Sequence, residues 1–262
     1  MRAQGYPVLD VDVARLSAYA RRHIAELGVS AVGGTCTGTA NDTKTDYFEG
    51  MYPGPGEPIA DLRRAGGIDA LARDLLDTAT AARPRIIAVD GRGGSGKSTL
   101  ADRLRDAIPG AQVVHTDDIA WWHSRFGWDD LMIDGVLAPL HAGRDVRYQP
   151  PAWAPRGRTE WIEVSSAAPA VIVEGCGASR RELAHLIDTA VWVQFDFDEA
   201  KRRALPRDMN LHGFDEAEAV RNWDEWQTEE IPFFLADRPW ERADRIVSDD
   251  AEGALLIATT PA

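Results

Sequence analysis

The chain has 262 residues, a formal net charge of −13 and a sequence pI near 4.9, enough for one sizeable α/β domain with a small appendage. An acidic balance without a broad cationic footprint argues against nucleic acid as the main partner, and no apolar run reaches the roughly 18 residues needed to cross a membrane. Met1-Arg-Ala-Gln-Gly-Tyr-Pro7 lacks a signal-peptide core, and Cys36 and Cys176 show no CxxC spacing, so the expected setting is a reducing cytoplasm without a disulfide framework.

In chain order, Val8, Val11, Leu16, Tyr19, Ile24 and Leu27, with charges between them, predict an amphipathic helix within 8–27. Residues 30–58, rich in Gly, Thr, Asn, Asp and Pro, read as a long loop or linker. A helix over 66–82 then leads to an apolar strand at 85–90. Further strands are expected at 111–116, 170–174, 190–196 and 243–247, and helices at 97–107, 129–142, 179–187, 198–205 and 214–236. Consecutive apolar residues such as Ala170-Val-Ile-Val173 suit strands buried on both faces. The alternation predicts an α/β fold over 66–262: a doubly wound, mainly parallel five-stranded sheet with helices on both faces. An extension of helix and loop over 1–65 precedes it.

The turn between the first of these strands and helix 97–107 reads Gly91-Arg-Gly93-Gly94-Ser95-Gly96-Lys97-Ser98-Thr99, a complete G-x-x-x-x-G-K-S phosphate-binding loop. Its glycines let successive backbone N–H groups point at phosphate oxygens, and the helix N-terminus adds the positive end of its dipole. Lys97 would hold the β- and γ-phosphates, while the Ser98 hydroxyl suits a Mg²⁺ ion. Residues 91, 93, 94, 95, 96, 97, 98 and 99 are therefore the expected contacts to a nucleoside triphosphate.

In sheets of this kind ligands lie beyond the carboxyl ends of the strands. Strand 111–116 runs into His115-Thr116-Asp117-Asp118, and strand 170–174 ends in Glu174-Gly175. A carboxylate of the first pair could accept a proton from an attacking hydroxyl or help hold Mg²⁺, and Glu174 stands where an acid would orient the metal. His115, His123 and His212 lack metal-ligand spacing, and Cys176 reads as a packing residue.

The succession of phosphate loop, Asp117-Asp118, Pro139-Leu-His-Ala-Gly143-Arg-Asp-Val-Arg-Tyr148 and Val171-Ile-Val-Glu174-Gly175 resembles the uridine kinase-like branch of the P-loop nucleoside kinases. It shares features with phosphoribulokinase and pantothenate kinase relatives. Arg202-Arg203-Ala-Leu-Pro-Arg207-Asp208, Trp223-Asp-Glu-Trp226 and Ala243-Asp-Arg-Ile-Val247 extend the likeness over 67–249. The resemblance implies an ATP- and Mg²⁺-dependent kinase acting on a hydroxyl of a small molecule, uridine- or cytidine-like, with 66–262 as the kinase domain. It implies Asp117 as base near Mg²⁺, Glu174 at the metal, Asp129 (or Asp130) at the acceptor's hydroxyls, and Arg203 and Arg207 as lid arginines over the triphosphate. Tyr148 and Trp153 fall on the acceptor side.

Two stretches depart from that family's pattern. Tyr148-Gln-Pro-Pro151-Ala152-Trp153 has proline and alanine where an acid and an aromatic residue recognise the nucleoside, and Pro206 alters the lid spacing. A sugar, a vitamin precursor or a nucleoside-type antibiotic is therefore an alternative acceptor. A regulatory ATPase whose first 60 or so residues engage a protein partner is an alternative of another class; an Asn-Lys-x-Asp guanine-recognition sequence is lacking. Trp121, Trp122, Trp128, Trp153 and Trp161 could stack on an acceptor or pack the interior, and Trp223 and Trp226 are expected to pack against the sheet.

Overall fold

Arg85–Gly91 alternates its side chains between two apolar layers, and every residue from Ile86 to Gly91 is buried. Such a strand is stable only in the middle of a covered sheet, and that is where it lies in a computed structural model of the protein, which describes residues 51–77, 83–250 and 253–259. The chain divides into two compact units, one drawn from 60–194 and 237–262, the other from 1–59 and 195–236.

The first unit contains β1 (Arg63–Arg64), α1 (Ile68–Leu76), β2 (Arg85–Gly91), α2 (Lys97–Ala107), β3 (Gln112–His115) and the short α3 (Thr116–Ala120). Next come α4 (Asp129–Met132), a π-helical turn at Ile133–Leu137, and α5 (Ala138–His141). β4 (Val146–Tyr148), β5 (Ile162–Val164), β6 (Ala170–Glu174), β7 (Thr189–Val193), β8 (Arg245–Asp249) and β9 (Leu255–Thr259) complete it. The main sheet has seven strands in the order β1-β9-β8-β7-β2-β6-β3. The five strands expected from sequence are β2, β3, β6, β7 and β8, and all their pairings with one another are parallel. The expected count of five is corrected by β9, antiparallel to β8, and by β1, antiparallel to β9. β1 is two arginines long and carries no apolar signal, so pairing alone defines it. Its position also brings part of the segment before residue 66 into the sheet.

Ile87 and Val89 face a layer made with Leu71 and Leu75 of α1 and Leu100 and Leu104 of α2. Ile86 and Ala88 face the opposite layer, with Ile119, Trp128, Met132 and Leu140. That second layer rests on an interrupted helix. Pro139 cannot donate a backbone hydrogen bond, and the expected helix over 129–142 is split by the π turn just before it. Gly135 lies in the turn, where a Cβ would come within 2.6 Å of the Tyr148 ring, so only glycine lets β4 pack this closely. The β4–β5 antiparallel pair was not foreseen.

A helix expected over 179–187 does not form, apart from a 3₁₀ turn at Ala184–Leu186. The reason is competition for donors: the Ser179 N–H goes to the Asp90 carboxylate and the Arg181 N–H to Asp237, not to carbonyls one turn back.

The second unit holds α6 (Phe197–His212) and nearly all of α7 (Glu216–Asp237). Asp196 caps α6 by accepting from the N–H groups of Asp198 and Glu199 at 3.1 and 2.9 Å. The helix continues past the expected end at 205, through Pro206, to Gly213, whose φ of 69° suits a C-terminal cap. Phe195, Ala200, Ala204 and Trp223 form its core cluster, and Trp226 donates to Glu230 at 2.9 Å. Tyr52 donates its N–H to Asp196 and meets Phe197 edge-on. The helix expected within 8–27, Cys36, most of the 30–58 loop and residues 78–82 lie outside the described residues. Among the described residues, no helix is long and apolar enough to cross a membrane.

At the opposite end of β2 from the phosphate loop, Asp188 accepts from both terminal nitrogens of Arg83, at 2.7 and 2.8 Å, and from the Ile86 N–H at 2.7 Å. Burial alone would raise its pKa, but the Arg83 pair and the Ile86 N–H outweigh it and hold the carboxyl below the usual aspartate range. Stability from this group is complete above about pH 4 and is lost as pH falls through the lowered folded value. Asp188→Asn should cost about 1.5–3 kcal/mol at pH 7. In urea unfolding, the gap between wild type and variant should shrink at pH 3.

Candidate phosphoryl-transfer site

The site begins where β2 must leave the sheet. Gly91 has φ +157°, and a Cβ on it would lie 2.7 Å from the Val193 carbonyl oxygen and 2.8 Å from Ser95 Oγ, so the loop can curl here only with glycine. The Ser95 N–H donates to the Arg92 carbonyl at 3.2 Å, and Lys97 Nζ donates to the same oxygen at 2.7 Å, drawing the loop closed. α2 starts at Lys97 with no side-chain cap on Gly96, so the first-turn N–H groups have no capping side chain. Ser95 Oγ is buried without a hydrogen-bond partner. A curled loop, a helix N-terminus, a buried lysine and an orphaned buried hydroxyl fit a bound phosphate group.

Beside this loop, β3 and β6 run in register with His115 opposite Glu174. Glu174, 5% exposed, accepts from Ser98 Oγ at 3.1 Å, and its other oxygen lies 2.7 Å from His115 Nδ1. Burial pushes the Glu174 pKa up, but His115, Lys97 and Ser98 together bring it below its ordinary value. Hydrogen bonding to Glu174 raises His115 above its usual value against the opposing effect of burial. Both directions favour an imidazolium–carboxylate pair. Ser98 and Glu174 are the residues that could hold a divalent cation. Among the described residues, no group of three or more His, Cys, Asp or Glu is arranged as a metal cage, so such a cation would draw its remaining ligands from phosphate and water.

The twin aspartates after β3 have different surroundings. Asp118 accepts from Arg158 at 2.8 Å, and its carbonyl accepts from Trp153 Nε1 at 2.9 Å. Asp117 is exposed on the first turn of α3. Asp129 lies 3.5 Å from Arg180, whereas Asp130 spends an oxygen on the Leu131 N–H at 2.8 Å. Tyr148 is half-buried against Gly135, and burial, aided by the charges of Asp130 and Asp134, raises its phenol pKa and keeps the proton on.

The tryptophans split. Trp128 and Trp153 are each 1% exposed, and Arg158 lies 3.3 Å over the Trp153 ring, so that indole is a packing element and not an open stacking face. Trp121, Trp122 and Trp161 are exposed. Arg203 and Arg207 belong to the second unit. There Arg203 donates to Glu199 at 3.2 Å and covers Phe195, and Arg207 donates to Asp208 at 2.8 Å. Three residues had escaped a functional reading: Asp90, Arg180 and, beyond a polar role, His115. Asp90 had a visible signal, a lone acid closing a run of buried apolar residues. Arg180 had none.

No family model matches the chain, and no curated protein matches it. Solved structures similar to it include a candidate fructose transport system kinase from Silicibacter sp. TM1040, 21% identical, with a TM-score of 0.48 over 68% of this chain and 96% of that one. A candidate uridine kinase from Bacillus stearothermophilus is 17% identical, with a TM-score of 0.44 over 68% and 96%. The YGR205w protein is 10% identical, with a TM-score of 0.48 over 76% and 100%. What the site does is decided by its own residues.

Removing the carboxylate next to His115 leaves burial as the main influence on the ring. Glu174→Gln should therefore move the His115 pKa downward, toward or below 6.5, as followed by NMR titration of the imidazole; an unmoved value would break the proposed pairing. Gly91→Ala should abolish measurable binding of a fluorescent ATP analogue while wild type binds it.

Proposed function

We propose that the protein is a cytoplasmic, ATP- and Mg²⁺-dependent kinase that transfers the γ-phosphoryl group to a hydroxyl of a nucleoside or related small metabolite. The observation that carries this reading is the exposed carboxylate of Asp117, two residues beyond β3, the strand next to the one that ends in Glu174. An exposed acid at that strand end can receive the proton of an acceptor hydroxyl as it attacks the γ-phosphorus.

Lys97 Nζ binds the β- and γ-phosphates, and the α2 N-terminus offers its N–H groups to the same oxygens. Ser98 Oγ and Glu174 would hold the cation. When bound, Mg²⁺ offsets the negative charge on the β- and γ-phosphate oxygens. Asp117 takes the proton as the acceptor oxygen forms its bond to Pγ. The bond from Pγ to the bridging oxygen breaks, and the electron pair leaves with ADP. His115, by neutralising Glu174, keeps a buried anion from repelling the triphosphate. Arg158 does the same for Asp118.

A panel of nucleosides, sugars and vitamin-like alcohols, read out as acceptor-dependent ADP release, tests the reading. Stimulation by at least one class is expected. ATP hydrolysis indifferent to every acceptor would instead favour a regulatory ATPase. Asp117→Asn should keep ATP binding and reduce phosphoryl transfer by roughly 10²–10⁴-fold; transfer near the wild-type rate would remove Asp117 from the base role.

A further inference from the structure

Asp90 is fully buried, and four donors converge on it. One oxygen accepts from the Gly91 N–H at 2.7 Å and the Gly177 N–H at 2.8 Å. The other accepts from the N–H and hydroxyl of Ser179 at 2.9 and 2.8 Å. A single carboxyl thus joins the first residue of the phosphate loop to the segment that follows β6. That segment is secured on two more sides: Arg242 donates to the Ser179 carbonyl at 2.9 Å, and Asp237 accepts the Arg181 N–H at 3.0 Å. The backbone on either side of Arg180 is therefore fixed by side chains from three places in the unit, in a stretch that has no helix or strand of its own.

Arg180 uses this rigid base to reach away from the phosphate loop. Its side chain is only 9% exposed. One terminal nitrogen donates to the Phe126 carbonyl, and the other lies 3.5 Å from Asp129 Oδ1. Its Nε donates to Glu182 at 2.8 Å, and the guanidinium sits 5.5 Å from the Trp128 ring centroid. These contacts cover both ends of the turn that opens α4. Only a planar fork with donors in several directions can make them together; a lysine could keep one.

We propose that Arg180 is the positioning residue of the acceptor side, fixing Asp129 and the turn from Phe126, and that Asp90 joins it to the phosphate loop as one rigid brace. The role of Asp129 toward an acceptor rests on the kinase reading; the brace does not. Without Arg180, Asp129 loses its partner and the Phe126 carbonyl its donor, so the turn should loosen while the sheet beneath it stays intact.

Hydrogen exchange by mass spectrometry on the full chain tests the brace directly. Arg180→Met should speed exchange across 124–132 by about tenfold or more, leaving β2 and β6 unchanged, and Arg180→Lys should fall between. Asp90→Asn should loosen both 91–96 and 124–132, and the double variant should exchange at 124–132 no faster than the worse single one. If Asp90→Asn does not fold, Ser179→Ala, which removes one of the four donors, takes its place with a smaller effect in the same direction. Unchanged exchange at 124–132 in Arg180→Met overturns the brace. With an acceptor identified from the panel, Arg180→Met should raise the acceptor KM about tenfold with the ATP KM nearly unmoved; equal rises in both would overturn the positioning role. If the wild type shows no acceptor-dependent ADP release, the kinase reading fails, and the exchange experiment alone decides the brace.

Discussion

A buried strand that ends inside the protein has to find partners for every polar group at its tip, and the tip of β2 meets that constraint with Asp90. Leaving a carboxyl and three backbone N–H groups unpaired in a site without water would cost several kcal/mol each way. Bringing them together satisfies all of them at once. The consequence is architectural: the phosphate loop cannot start until Asp90 is bonded, and the chain after β6 cannot become a helix while its N–H groups are drawn to the same carboxylate. The curl at Gly91 and the irregular path through 177–181 are two results of one requirement.

The electrostatics of the site follow from where the remaining acids sit. Glu174 would be a poor neighbour for a triphosphate if it stood alone as a buried anion. His115 meets it across the β3–β6 register, and Ser98 bonds its other oxygen. The acid is thus held ready near the loop with its charge compensated. Asp118 is treated the same way by Arg158. In a chain with a net charge of −13, what distinguishes this corner is that Glu174 and Asp118 each have a specific cationic partner, His115 and Arg158.

The sequence made the parallel core legible because its signals are local. Apolar runs at 85–90 and 170–174 mark strands buried on both faces, and a glycine-rich motif marks the turn where phosphate belongs. What could not be read depended on distant pairing. β1 is a strand only because β9 lies beside it, and the β4–β5 pair is three residues on each side across a long connection. The helix expected at 179–187 had acceptable propensity and lost to side chains more than 50 residues away in sequence. Tertiary hydrogen bonds overrode local preference there, as they do wherever backbone donors meet a buried carboxylate. Arg180 was invisible for the same reason: its meaning lies in the turn at Phe126–Asp129, which only the fold brings to it.

The departures from the uridine kinase-like pattern take on a different sense in the folded chain. Pro150-Pro151-Ala152 brings Trp153 inward, where its indole N–H supports the Asp118 backbone and its face supports Arg158, which in turn pairs with the Asp118 side chain. The stretch that would hold an acid and an aromatic residue for a nucleoside base here secures Asp118. Specificity that depends on a hydrogen bond to a buried polar partner disappears when the partner is replaced, because a packed apolar wall cannot discriminate as strongly. In the proposed kinase, giving this stretch to the support of Asp118 leaves acceptor recognition to other residues. The half-buried Tyr148, Asp129 beside Arg180 and the exposed Trp121 and Trp122 are the surfaces from which the proposed kinase would build selectivity.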